Sequence, residues 1–438
     1  MNNNIIHTPS QVEAIAKYEA FLPSEEMIFD LAGGAGQGKT TITREFVKRT
    51  PKGTCIGVSP THKACQNFRE HLDGLGVEVV TLDSFLGLQP KREGRGSIKV
   101  RSKHYDPSKF LKVDTVFLDE KSMADQYHVE FMLEDIRTMN RKWVKIGDEC
   151  QLPPVNEPFS LLDTMELPDS CKARLRETHR FGGAILELAT SVRNVIEGKT
   201  KTFELETNVE DGKGVFVLDR EEWGKKVKEC IRDDRFKSEP NFFKILAHSN
   251  TTVLEYENRV DRQLGLTPDN PFPIGSMAVA NEAFSRDNQM VLGTCEDVKV
   301  LSCRKETHPV YPSLQGWVMD LQKMDSTVVT VTALDHYSSR ESYKAILNQL
   351  AKDADAGDGW YKYYGLRDYY ADIRKGTALT IHKMQGSGAV NIAFDYSDVY
   401  KDCRSKTFDW KFADRLVYTA LTRARVNLFI LAREQSWK

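Results

Sequence analysis

The segment "FDLAGGAGQGKTTITREF", residues 29–46, constrains the fold of this chain more than any other. It carries G-x-x-x-x-G-K-T over residues 33–40, with the apolar run "MIFDLA" before it and the helically spaced "TTITREFVKRT" after it. Strand, glycine loop and helix in that order are the setting in which this pattern grips a nucleoside triphosphate. The backbone of Gly33, Gly34, Ala35, Gly36, Gln37 and Gly38 turns its N–H groups toward phosphate oxygens. The helix that follows, with Thr41 in its first turn, adds partial positive charge at the same place. Lys39 is placed to reach the β- and γ-phosphates and Thr40 to hold Mg²⁺. The expected class is therefore α/β, with a parallel sheet behind the loop.

Two later stretches supply the rest of a nucleotide hydrolase. "VDTVFLDEKSM" (113–123) reads as a buried strand ending in Asp119 and Glu120. In a P-loop fold the strand-terminal Asp119 holds Mg²⁺ through water, and Glu120 orients and deprotonates the attacking water. "WVKIGDECQLPPV" (143–155) is again strand then loop. Its Gln151 is a neutral donor suited to sensing the γ-phosphate, and the tandem prolines stiffen the connection.

A chain of 438 residues is long for one core, so two or more domains are expected. No apolar run approaches the roughly 20 residues of a membrane span, and "MNNNIIHTPSQ" reads as neither signal nor transit segment. Eight cysteines without C-x-x-C pairs argue against zinc and against a disulfide frame. The expected setting is a reducing cytoplasm. A net charge of −2 is silent about nucleic acid, because a basic channel can hide in a neutral total.

"GDECQLPPV" is not general to P-loop proteins. With "TPSQ" (8–11), "SPTHKA" (59–64), "LTIHKMQGSG" (379–388) and "VYTALTRAR" (417–425), it resembles the superfamily 1 helicases of the 5′-to-3′ class. The motifs stand in family order over nearly the whole chain. "ETHRFGGAILELATSVRN" (177–194), the "HKMQG" form and "ILAHSNTTVLEYENR" (245–259) draw the likeness toward the Dda helicases of tailed phages and the related RecD-like branch. The resemblance implies two RecA-like motor domains (1–86 with 112–181, and 182–270 with 376–438). It also implies a pin or hairpin insertion over 87–111 and an SH3-like small barrel with an arm over 271–375. It implies that Gln11 reads adenine, making ATP the fuel, that Gly386 lies at the nucleotide, and that Arg180 and Arg423 both point at the γ-phosphate. A finger from a second domain makes hydrolysis depend on closure. Lys121 after Asp-Glu, Asp83 in "TLDSFL", and the lack of a Glu after "QGSG" depart from the family pattern; the last leaves sugar recognition, and so other triphosphates, open.

An engine of this family runs on single-stranded DNA. The implied backbone contacts come from Pro60, Thr61, His62 and Lys63, from Thr81, Ser84 and Phe85, from His248, Ser249 and Asn250, and from Thr380, His382 and Lys383. Hydroxyls, amides and short basic groups suit phosphate and sugar contact, which positions without reading sequence; Phe85 is the candidate for stacking on bases. Residues 91–112 carry eight Lys or Arg against two acids. They read either as a solvated face or as a hairpin turning at residues 94–97, the duplex-splitting pin of Dda-like enzymes, its basic residues holding the separating strands. The aromatic-rich "GWYKYYGLRDYY" (359–370) is packing or an arm that braces the pin. The expected activity is ATP-dependent translocation 5′ to 3′ and duplex unwinding, in replication or recombination. Expected partners are single-stranded DNA, single-strand/duplex junctions, and a single-strand-binding or other replication protein, with no membrane and a monomer as the active form. An RNA helicase, or a loader whose ATP site only switches affinity, are the alternatives.

Overall fold

The computed structural model of the chain describes residues 7–93, 96–103, 105–177, 183–286 and 289–432. The first third forms β1 (Ile28–Ala32), β2 (Cys55–Ser59), β3 (Glu78–Thr81), β4 (Leu88–Glu93), β5 (Gly96–Arg101), β6 (Thr115–Leu118), β7 (Lys142–Gly147) and β8 (Lys172–Arg174). Six of them make one sheet in the order β3-β2-β6-β7-β1-β8, every pairing parallel. Helices cover both faces, so a central strand such as β6, "TVFL", is buried at every position and shows no alternation. One face holds Tyr18, Phe29 and Phe46, with the Tyr18 and Phe46 rings stacked 4.1 Å apart; the other holds Phe85, Phe110 and Trp143. Because the strands run parallel, the ends of β1, β6 and β7 open on one edge, where such sheets bind ligands.

The second sheet uses β9 (Asn208–Glu210), β10 (Lys213–Leu218) and β11 (Phe243–Ala247), then, after an insertion, β19 (Ala378–Thr380), β20 (Ala389–Asp395) and β21 (Ala424–Leu431). Its order is β19-β11-β20-β21-β10-β9, parallel except at the β9 edge. The chain is thus an α/β protein with two parallel sheets.

The insertion has β12 (Met277–Ala280), β13 (Phe284–Arg286), β14 (Gln289–Leu292), β15 (Glu296–Thr307), β16 (Gln315–Lys323), β17 (Val328–Leu334) and β18 (Ile373–Arg374). Five of these pair antiparallel in the order β17-β16-β15-β12-β18, and β13 with β14 adds a hairpin. They enclose their own core of Phe272, Val298, Trp317, Met319 and Val331. The aromatic-rich stretch forms the helix Tyr361–Arg367, packed with the helix Arg340–Asp353 over Leu314, Leu334, Leu366 and Tyr370.

The basic stretch does form a hairpin. β4 and β5 pair antiparallel from Leu88 with Arg101 to Glu93 with Gly96. Gly94 and Arg95, where the chain was expected to turn, lie outside the described residues. Two of its basic residues do not stand free for DNA. Lys99 Nζ lies 2.9 Å from Asp83 and 3.1 Å from Asp125, and Arg101 lies 2.7 Å from Glu134. They anchor the base of the hairpin to the helix Gln126–Met139 and to the Asp83 that departs from the family pattern. Burial alone would depress the nearby His128; its hydrogen bonds to Asp125 and Asp83 outweigh this and raise it.

Candidate active site and nucleic-acid interface

The P-loop runs from the end of β1 into the helix Lys39–Arg49. Gly36 (φ 75°) and Gly38 (φ 84°) take left-handed conformations that a side chain would strain. Lys39 Nζ donates to the carbonyls of Gly33 and Gly34 at 2.7 and 3.0 Å, and so stands over the loop. Gln11 is fully buried one layer away: its Oε1 accepts from Thr8 N–H and its Nε2 donates to the Gln37 carbonyl at 3.3 Å. The residue expected to read the base is thereby fixed to the loop expected to hold the phosphates. No hydrogen bond of Thr40 or Thr41 bears on their expected roles; both begin the helix, within its first turn.

Asp119 and Glu120 end β6 on the same edge. Burial raises both carboxyls above their ordinary range; for Glu120 the Asp119 charge adds to this, while Arg423 and Lys39 oppose it. Glu120 is held at φ 53°, an uncommon conformation for a residue with a side chain. Lys121, the next residue, is 0% exposed. Its ammonium meets Asp30 at 2.8 Å and Asp163 at 3.0 Å. Burial alone would depress it; the carboxylates reverse that and hold it above its ordinary value. The odd residue after Asp-Glu is thus a buried tie from the Asp119-Glu120 turn back to β1.

The second sheet closes the site. Arg423 is buried at the end of the helix Trp410–Leu421, donating to the Ser387 carbonyl at 3.1 Å, the Thr419 carbonyl at 3.1 Å and Thr422 Oγ1 at 2.9 Å. Burial lowers it and the Glu120 charge opposes that. Gly386 turns at φ 73° against Ala64, close to Glu120, and its carbonyl accepts from Asn67. Gln151 is buried, with Gln385 Nε2 3.5 Å from its Oε1. Arg180 lies outside the described residues.

The proposed DNA contacts fall into a repeated pattern. Thr81 and Thr380 end their strands, Thr61 and Ser249 follow theirs by two residues, and each caps the next helix, accepting from Ser84, Lys383, Ala64 and Thr252 N–H respectively. The four strands, β2 and β3 in one sheet and β11 and β19 in the other, are neighbours at one side of each sheet. These hydroxyl oxygens therefore serve the helix ends. Ser249 is also held by Asp398, which accepts from His248 N–H, Ser249 N–H and Thr252 Oγ1 at 2.7 to 2.8 Å. Pro60 precedes the first cap, half-buried; Ser84 and Asn250 are exposed. Lys63 is ion-paired with Asp297 of the insertion, Lys383 donates to Asn281, and His62 meets Met290.

Phe85 does not fit its expected role. It is 0% exposed, its ring 5.0 Å from Phe110 and 5.7 Å from Trp143 with Arg141 over it. Burying a phenyl ring stabilises by about 1.5–3 kcal/mol and stacking on a base by about 1–3, so magnitude does not choose between them. Position does: Leu82, Phe85 and Leu86 form the inner face of one short helix. The half-buried rings available for bases are His248, His382 and Phe412, with centroids 6.0 to 6.5 Å apart. Burial, with His248 nearby, pushes His382 down to about 4. Both histidines are therefore neutral, flat groups near pH 7 rather than cations.

Residues 7–213 match the model of a family described as an AAA domain. The RecD subunit of the RecBCD enzyme of Mycolicibacterium smegmatis is 28% identical over 186 residues, 37% of this chain and 32% of its own length. An uncharacterized protein, R530, of Acanthamoeba polyphaga mimivirus is 29% identical over 175 residues, 36% of this chain and 35% of its own. The chain spans about a third of the length of these curated relatives. Among solved structures, Pif1 helicase from Bacteroides in complex with ADP-AlF3 and single-stranded DNA superposes with a TM-score of 0.52 at 14% identity, over 98% of this chain and 93% of that one. A Pif1 structure described as unwinding of forked duplex DNA by two coordinating helicases gives 0.54 at 15%, over 98% and 92%. The chain shares the fold of these solved structures.

Several residues that sequence reasoning passed over hold the two sheets together at the cleft. Gln385, in the family's "HKMQG" stretch, donates to Ser122 Oγ at 3.1 Å and the Leu152 carbonyl at 3.2 Å. Arg415 donates to the Glu149 and Gln151 carbonyls at 2.6 and 2.7 Å. Tyr418 OH donates to Asp148 at 2.6 Å, and Arg193 meets the same carboxylate at 3.1 Å while lying against Gly34. Cys150 and Leu152 insert into the core under the second sheet. The available signal was polar residues recurring within "VYTALTRAR" and "ATSVRN", which helical spacing alone assigns to no partner.

Proposed function

We propose that this chain is an ATP-driven DNA helicase that travels 5′ to 3′ on single strands and opens duplexes, of the Dda type within its group. The observation that carries the reading is the split site: Lys39, Asp119 and Glu120 on one sheet face Arg423, Gly386 and Gln385 on the other. A site built from two bodies changes when they move, and a motor needs that coupling.

In this reading the two sheets are motor units, bounded near 1–86 with 112–181 and 182–270 with 376–438. The hairpin over 87–111 is the pin and 271–375 the barrel with its arm. Gln11 and the loop 33–38 seat ATP, Lys39 holds its terminal phosphates, and Arg423 and Arg180 steady the charge that develops on them. The carboxyl of Glu120, raised by burial, accepts the proton of the water that attacks the γ-phosphorus as ADP departs. Gln151 links the phosphate end of the site to Gln385. The residues suit a divalent cation, since burial leaves Asp119 and Glu120 in want of positive charge. Mg²⁺ would be held by Thr40 and Asp119, where it neutralises phosphate charge. The four capped helix ends offer backbone N–H groups to successive phosphates, and His248, His382 and Phe412 offer faces to bases. Single strands and fork junctions are the substrates, a single-strand-binding protein a companion, and a monomer the working form.

The test is strand separation on duplexes bearing one single-stranded tail. The reading expects ATP-dependent opening with a 5′ DNA tail and little with a 3′ tail. Opening only 3′-tailed duplexes refutes the polarity. Opening only RNA-tailed duplexes favours the RNA reading, and fast hydrolysis with no opening favours the loader.

A further inference from the structure

The loop that joins β20 to the helix Trp410–Leu421 lies against the proposed DNA residues of the second sheet. From the end of β20 the short helix Tyr396–Val399 leads into residues 400–411, "YKDCRSKTFDWK". The start of this loop is tied to the capped helix end at Ser249. Asp398 accepts from His248 N–H, Ser249 N–H and Thr252 Oγ1, and Lys401 Nζ lies 3.4 Å from Asp398 and 3.4 Å from Ser249 Oγ. The far end of the loop runs into Phe412, whose ring stands against His248 and His382. Both ends therefore adjoin the groups offered to phosphates and bases.

Two properties of the loop go beyond what packing needs. The first is charge. Lys401, Arg404, Lys406 and Lys411 are exposed, against only Asp402 and Asp409, in a chain whose net charge is −2. Asp409 is occupied at the helix cap, accepting from Phe412 N–H at 2.9 Å. Arg404, Lys406 and Lys411 make no ion pair among the described residues, and Lys401 shares a carboxylate already engaged by backbone and hydroxyl donors. The second is an open ring. Trp410 is 54% exposed, its centroid 5.0 Å from that of Phe408 and 5.9 Å from that of the buried Tyr400. Tyr400 is itself fixed, its OH donating to Asp414 at 3.1 Å. A lone exposed ring is ordinary. A braced indole among cations, continuous with a row of helix ends, is the combination that binds single strands: positive charge follows the backbone and aromatic faces take the bases. Duplex DNA keeps its base faces stacked inside and offers such a ring nothing comparable. We propose that residues 400–411 extend the single-strand track past His248, His382 and Phe412, with Lys401 on a phosphate beside the Ser249 helix end and Trp410 stacked on a base. The proposal rests on the reading of the chain as a motor on single-stranded DNA.

The experiment is a fluorescence-anisotropy titration of the full chain, without nucleotide, over a range of salt. The probes are a labelled oligothymidylate and a strand of equal length built of abasic residues. Trp410→Ala should weaken binding to oligothymidylate by about fivefold or more. It should leave the abasic strand and the salt dependence unaltered, and Trp410→Phe, which keeps a ring, should recover part of the loss. Lys401→Ala should weaken both strands and lower the slope of log affinity against log salt by about 0.7, the share of one phosphate contact on a single strand. Native affinity in Trp410→Ala, an equal loss on both strands in the two Trp410 variants, or an unaltered slope in Lys401→Ala would each overturn the proposal. A native chain that binds no single strand would overturn the motor reading with it, whereas normal binding by the native chain and by all the variants overturns this proposal alone.

Discussion

Glu120 shows how much one residue depends on its neighbours. Its left-handed backbone and raised carboxyl are both unfavourable in isolation, and the next residue, Lys121, is tied into Asp30 and Asp163 beneath it. Two substitutions separate chemistry from support. Glu120→Gln keeps the shape and removes the proposed base; ATP and DNA binding should persist while turnover stops, read by single-turnover hydrolysis. Near-normal turnover would remove Glu120 from that role. Lys121→Met strips the buried cation from the half-buried Asp30 and Asp163, and the cost is at most about 3–5 kcal/mol, that of breaking a fully buried pair. Urea unfolding of the chain should shift accordingly; an unchanged midpoint would mean that Lys145, 3.3 Å from Asp30, suffices alone. The sequence marked Lys121 as anomalous but could not show why, because its partners lie 91 and 42 residues away.

At the scale of elements, local pattern was readable and long-range use was not. The P-loop helix, the strand ending in Asp119-Glu120 and the basic hairpin all follow from spacing and turn chemistry. The threonines of "PTHK", "TLDSF" and "TIHK" were read as DNA contacts; their oxygens cap helices, a role that the T-x-x pattern before a helix also carries. Phe85 was misplaced because one aromatic in a short helix does not reveal which face is inward. The hairpin supports a direct test. Its base is fixed by Lys99 and Arg101, so its tip can be cut without touching the anchors. Replacing residues 92–97 with Asn-Gly joins Lys91 to Ile98 through a two-residue turn. ATPase and travel along single strands should persist while unwinding falls sharply, most on G·C-rich duplexes, where each step loses about 1.4 kcal/mol of stacking on average. Unwinding at the parental rate would reduce the hairpin to a solvated loop; loss of ATPase as well would place it within the motor.

At the scale of the whole molecule, the surface where the two parallel sheets meet was the least legible part, since Gln385, Arg415, Arg193 and Tyr418 reach partners distant in the sequence. One consequence is a pH dependence at the junction of the second sheet and the insertion. Burial, reinforced by Asp261 and opposed by Arg374, pushes Glu257 up to about 7 from 4.5. A carboxyl raised on folding binds more protons in the folded state, so stability falls as pH rises from about 4.5 to about 7 and stays lower above. The shift corresponds to at most about 3 kcal/mol. Relative to the native chain, Glu257→Gln should therefore gain stability at pH 8 and none at pH 4; equal pH profiles would show the carboxyl to be unperturbed.

The split ATP site is the centre of the account, and it predicts that the track controls the engine. Glu120 and Lys39 sit on one body and Arg423 on the other, and in the proposed reading the capped helix ends at Thr61 and Thr81 of the first and at Ser249 and Thr380 of the second carry the DNA across both. The most direct measurement is the steady-state rate of ATP hydrolysis as single-stranded DNA is added, at low salt so that phosphate contacts are strong. The account predicts a low rate without DNA and a large, saturable rise with it, independent of DNA sequence and lost in Arg423→Ala. A rate that is already high without DNA and does not change as DNA is added would contradict it.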